Sequence, residues 1–123
     1  GEGMNIDKLK KSVETLKDDL GLALLATDIF DATGLSYADY NGNPAASALF
    51  ADMTSKLRKT LEGAGFPTLG RYYLLELEDR KMVVVALAKE LQWGMLVDGT
   101  KVNLGVLLNV ALPKAIENLK EAL

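Results

Sequence analysis

The chain has 123 residues, the length of one domain, and its 49% apolar and 25% charged content, with a net charge of −3, is enough to bury a real core. It contains 0 His and 0 Cys, which excludes disulfides, thiolate nucleophiles, imidazole bases and nearly every zinc, copper or haem site. Acidic and basic residues are interspersed, so no basic stripe exists to track a phosphate backbone, and no apolar run approaches the ~20 residues of a membrane span.

Gly1, Glu2 and Gly3 ahead of Met4 read as a remnant of expression, residues 4–123 as a single domain, and no signal peptide is visible. A cytoplasmic location fits this reading. From Asn5 to Leu20, Ile6, Leu9, Val13, Leu16 and Leu20 recur at steps of three and four, with lysines and acids between them. That spacing predicts an amphipathic helix stopped by Gly21. Leu22 to Thr27 is a short continuous apolar run, the mark of a strand covered on both faces. Asp31 to Gly34 is turn chemistry, and Leu35 to Tyr40 mixes polar residues as a less buried strand does.

The second helix is predicted over Asn43 to Gly63, with Asn43 as N-cap and Pro44 at the first helical position. Ala46, Leu49, Phe50, Met53, Leu57, Leu61 and Ala64 share one stripe, expected to face the core. The opposite side is smooth at Ala48, Ala51 and Ser55 and then charged at Arg58, Lys59 and Glu62. Leu69 to Leu77 alternates as an edge strand. Glu78 to Arg80 makes a tight turn into Met82 to Ala88, which is apolar on both faces and therefore central. Leu91 to Val97 reads as a further hairpin strand. A last helix runs from about Lys101 to Leu123, with Leu104, Leu107, Leu108, Ala111, Ala115 and Leu119 on one face. Pro113 inside it is expected to kink it by clashing with the carbonyl of Asn109. The order α-β-β-α-β-β-β-α, with two edge strands, describes a five-stranded antiparallel sheet carrying helices on both faces.

No motif points to catalysis. Gly65 to Tyr72 has the glycine spacing of a phosphate loop, but Arg71 replaces the lysine and Tyr72 the hydroxyl that binds magnesium. A helix also precedes it where one should follow, so it reads as a helix-to-strand connection. Asp28 and Asp31 invite comparison with a paired acid and base or a cation site, yet their spacing matches no calcium loop, and a solvated turn is the simpler reading. None of the serines sits in a nucleophile elbow. Trp93 and Tyr37, Tyr40, Tyr72 and Tyr73 read as core or edge packing. The chain is expected to be no enzyme and to hold no cofactor or metal. A smooth helix face next to an edge strand bearing Tyr72 and Leu74 has one economical explanation: both are covered by a second copy of the chain.

The chain resembles the roadblock family, the roadblock-type dynein light chains and their prokaryotic relatives. The resemblance spans almost all of Asn5 to Leu123. It rests on GLALLATD at the first strand, the turn into GLSYADYNG, the alanine-bearing second helix, the three-stranded meander and VNLGVLLNVALPKAIENLKEAL. DIFDATGL is longer than the usual "D-x-D-G-L" hairpin turn, and Pro113 is a second departure. The resemblance implies a sheet ordered 2-1-5-4-3, with the second helix on one face and the first and last on the other. It also implies a homodimer through the second helix and third strand, here Ala48, Ala51, Ser55, Tyr72 and Leu74. Many prokaryotic members resemble regulators of small Ras-like GTPases. The expected function is therefore a non-enzymatic, homodimeric partner of such a GTPase, one able to stimulate hydrolysis without an arginine finger. Arg58, Lys59 and Glu62 are the expected partner-binding residues. The alternatives are a structural adaptor or motor light-chain-like subunit, and a small-ligand sensor. Neither nucleic-acid binding nor membrane insertion is expected.

Overall fold

The helix α1 (Ile6–Leu20) forms where the sequence supplies both ends. Asn5 Oδ1 accepts from the Lys8 amide at 3.0 Å, and Gly21, at φ +55° and ψ −133°, takes a backbone conformation open to glycine and ends the helix. The computed structural model describes residues 3–123, so the first two residues read as a remnant lie outside the described residues. A single 3₁₀ turn (Gly21–Ala23) leads into β1 (Leu24–Asp31), followed by β2 (Ser36–Tyr40), α2 (Pro44–Gly63), β3 (Tyr72–Glu76), β4 (Lys81–Ala88) and β5 (Leu91–Asp98). The C-terminal helix is continuous in three pieces: α3 (Leu104–Val106), a π-helical turn (Leu107–Ala111) and α4 (Leu112–Glu121).

The five strands form one antiparallel sheet in the order β2-β1-β5-β4-β3. β2 and β3 are its edges, as their mixed polarity predicts. β1 departs from its predicted span. Leu22 lies in the 3₁₀ turn, and the strand runs on through Asp28 to Asp31. Asp28 is therefore inside a strand rather than in the solvated turn predicted for it.

One face of the sheet carries the main core. Leu9, Val13, Leu16 and Leu20 of α1 and Leu107, Ala111, Leu112, Ala115, Ile116 and Leu119 of the C-terminal helix pack on Ile29, Val84, Trp93, Met95 and Val97. Trp93 is fully buried without an orphan donor: its Nε1 donates to Thr27 Oγ1 at 2.7 Å, which in turn donates to the Gly94 carbonyl. The Asn5 amide donates to the Ala122 carbonyl and ties the two termini together on this face. The other face carries α2 and a smaller core of Val83, Val85 and Leu87.

Pro113 is accommodated by a wider turn ahead of it. The Leu112 amide donates five residues back, to Leu107, so the backbone preceding the proline is already opened. The extra residue rotates the first turn of the helix off its expected face: Leu104, predicted to be buried, is 52% exposed, while Leu112 and Ile116 enter the core.

Candidate functional site

α2 meets the sheet with its small residues. Ser47, Ala51 and Thr54 are its buried positions. The predicted core stripe lies roughly a quarter turn away at 100° per residue. Phe50, Met53, Leu57 and Leu61 are only half-buried, Ala64 is exposed and Leu49 is 58% exposed. The cause is the sheet beneath. Gly94 on β5 has no side chain on this face, and two hydroxyls anchor the helix against polar groups of the sheet. Ser47 Oγ donates to Asp28 Oδ2 at 2.8 Å on β1, and Thr54 Oγ1 lies 2.8 Å from Tyr73 Oη on β3. Small side chains allow that close approach; the stripe of larger ones does not fit under the helix.

The predicted interface residues are therefore separated. Ala51 is only 4% exposed and packs inward, which corrects its outward placement. Ala48 and Ser55 are exposed. Gly34 of the β1–β2 turn, at φ +87°, packs on the backbone of Ala48: a Cβ on Gly34 would stand 2.8 Å from the Ala48 Cα, so that position needs glycine. Tyr72 and Leu74 lie on the edge strand β3, half-buried against the main core, while Tyr73 and Leu75 point to the α2 face. Arg58 is also corrected. It continues the line Ser47, Ala51, Thr54, is half-buried, and its charge acts on the Tyr73 hydroxyl. Burial nevertheless pushes the Tyr73 phenol above its ordinary range. Lys59 and Glu62 are exposed, as expected.

A second group, missed by sequence reasoning, gathers around Asp28. Asp28 and Asp39 are cross-strand partners. Ser36 Oγ donates to Asp28 Oδ1 at 2.5 Å, opposite the bond from Ser47. The Gly42 amide donates to Asp39 Oδ2 at 2.8 Å. A Cβ on Gly42 would lie 2.6 Å from the Asp39 carboxylate and 2.8 Å from that of Asp28, so a larger residue there would displace the two carboxylates. Burial pushes the Asp28 carboxyl above its ordinary range and the nearby Asp39 charge adds to this, while the two serine hydroxyls oppose it. Asp31 behaves differently. Burial, the largest influence, is outweighed by bonds from Thr33, Tyr37 and the Leu35 amide, which together hold it below the usual carboxylate range. Asp31 is the organiser of the hairpin turn. Only the fold brings Ser36 and Ser47 together on Asp28, and no local spacing signals their meeting. Among the described residues, no group of three or more Asp or Glu is placed to hold a metal ion.

Residues 65–71, with their phosphate-loop-like glycines, form the helix-to-strand connection predicted for them, and the strand β3 follows directly. No described helix is long and apolar enough to cross a membrane.

No family model matches the sequence, and no curated protein matches it either. Solved structures do. Myxococcus xanthus MglB superposes with a TM-score of 0.80 at 11% identity, covering 94% of this chain and 87% of that one. The gliding protein MglB from Thermus thermophilus gives 0.79 at 14% identity, over 99% and 91% of the two chains. A Roadblock/LC7 domain from Streptomyces avermitilis gives 0.67 at 13% identity, over 91% and 94%. With its sheet order and its division of helices between the two faces, this chain has the roadblock fold.

Proposed function

We propose that the protein is a non-enzymatic regulator of a small Ras-like GTPase and works as a homodimer. One observation carries the dimer: Met53, Leu57 and Leu61 of α2 are left half-exposed, and the edge strand β3 is uncovered. An unpaired edge and an apolar helix flank are two liabilities that one symmetric contact removes. Tyr72 and Leu74 contribute the edge. On α2, Met53 and Leu57 supply the apolar area, while the exposed Ala48 and Ser55 lie on the opposite flank at 100° per residue.

The GTPase partner is supported by the likeness in fold to the two MglB structures and the Roadblock/LC7 domain, together with the roadblock resemblance of the sequence. Paired α2 helices would present Lys59 and Glu62 in two copies related by a two-fold axis, a charged surface suited to another protein by charge complementarity. The test is direct binding to a purified small Ras-like GTPase, loaded with a non-hydrolysable GTP analogue or with GDP. Binding that favours one nucleotide state supports the regulator. Equal binding to both supports the structural adaptor, and no binding removes the GTPase.

A further inference from the structure

A half-open chamber of about 270 Å³ lies between the N-terminal half of α2 and the sheet. The wall is apolar: Ala26, Phe30, Val83 and Leu96 from the strands, Ala46 and Phe50 from the helix. Gly94 forms part of the floor and leaves room where any other residue would fill it. At one end stands the Asp28 carboxylate, beside Ser47 and Gly42. A carboxylate has about four acceptor positions, and the hydroxyls of Ser36 and Ser47 use two. No lysine or arginine among the described residues forms an ion pair with Asp28 or with its neighbour Asp39. Two like charges on paired strands, one of them partly withdrawn from water and without a cation, is an unfavourable arrangement.

We propose that this chamber is a binding site for a small organic cation, a primary ammonium on a compact apolar body. The juxtaposition selects that chemistry. The apolar wall takes the body, and the free acceptor positions of Asp28 take N–H donors, with the Asp39 charge close by. A metal ion would find the carboxylates but gain nothing from the wall, and a neutral hydrocarbon would leave them unpaired. The chamber is just below the size of pockets for drug-sized ligands, so the body is about one ring in size. The site goes beyond the GTPase reading and does not depend on it.

Benzylammonium chloride is the probe and benzyl alcohol its neutral match, each titrated into the ¹⁵N-labelled protein at neutral pH and followed by two-dimensional NMR. Saturable shifts are expected at the amides of Asp28, Gly42, Ser47 and Gly94, with the alcohol weaker by about tenfold, the worth of one charge-assisted hydrogen bond. Asp28→Asn keeps an acceptor for the serines and should lose about tenfold in amine affinity without changing that for the alcohol. Ala46→Leu, which fills the chamber and leaves the charge, should abolish both. Circular dichroism confirms that each variant is folded. Shifts that never saturate, equal affinity for amine and alcohol, or an Asp28→Asn protein that binds the amine as tightly as the parent would each overturn the proposal.

Discussion

Asp28 shows how one side chain can serve position at a cost in stability. Its hydrogen bonds from Ser36 and Ser47 join β1, β2 and α2, yet it faces Asp39 across the strands. Because its carboxyl lies above the ordinary range when folded, the native state holds this proton more tightly than the unfolded chain does. The stabilisation this gives is present in full below the ordinary carboxylate range and is lost as the pH rises through the raised value. Asp28→Asn should therefore melt a few degrees above the parent at pH 7, with the gap closing toward pH 4. An equal gap at both pH values would show that the charge is not responsible. Asp31, Asp79 and Asp98 act in the opposite sense, since hydrogen bonds hold all three below the ordinary value, and their contribution fades in acid. Gln92 is a second costly residue. It is 4% exposed on β5 between Phe30 and Leu87, and its side-chain oxygen has no partner among the described residues. Gln92→Met should raise the unfolding free energy by about 1 kcal/mol in urea titration. A loss of that size would show that the oxygen is satisfied in solution. Arg58 is the third case. An arginine finger in trans is worth roughly 10³–10⁵ in rate and must reach deep into the nucleotide site. Arg58 sits half-buried on a regular helix with its charge acting on Tyr73. Arg58→Ala is expected to weaken GTPase binding and, at saturation, to change any stimulated hydrolysis by less than about tenfold, ~1.4 kcal/mol. A thousandfold loss with binding intact would make it a finger.

At the scale of elements, helices and strands are legible because each carries its own period and its own stop signals. α1 is the clearest case: of Ile6, Leu9, Val13, Leu16 and Leu20, whose spacing marks one face, the last four are buried, and Ile6 in the first turn stays 36% exposed. The facing of α2 is not legible. Its apolar stripe is real, but a stripe records what avoids water, and it does not say whether the cover is this chain or another. Ser47 and Thr54 face the sheet because Asp28 and Tyr73 await them there, and that pairing depends on the fold rather than on local spacing. Likewise, periodicity alone cannot foresee that a π-helical turn before Pro113 exchanges Leu104 for Leu112 in the core. The Asp28 group escapes sequence reading for the same reason, since its members come from β1, β2 and α2. The edge strand yields a prediction of its own. If β3 pairs with its symmetry mate, Leu74→Pro removes a backbone donor and should weaken the dimer while far-UV circular dichroism is retained. A folded Leu74→Pro protein that is still fully dimeric would place the interface elsewhere.

For the molecule as a whole, the sheet has one face closed by α1 and the C-terminal helix and one face only partly closed by α2. The closed face accounts for stability, with its tryptophan satisfied and both termini tied to it. The open face holds what the closed one lacks: the apolar flank of α2, the free edge of β3 and the chamber over Asp28. The sheet order came from the resemblance and not from composition, because five strands of suitable polarity permit several orders. The claim on which the rest depends is that the flank of α2 is an interface between two copies of this chain. Sedimentation equilibrium at micromolar concentration tests it most directly, with the parent run beside the double variant Met53→Glu, Leu57→Glu. The parent should sediment at about twice its 13.3 kDa chain mass, and the folded double variant at the chain mass. A parent that stays at 13.3 kDa throughout, or a double variant that remains dimeric, would contradict the account.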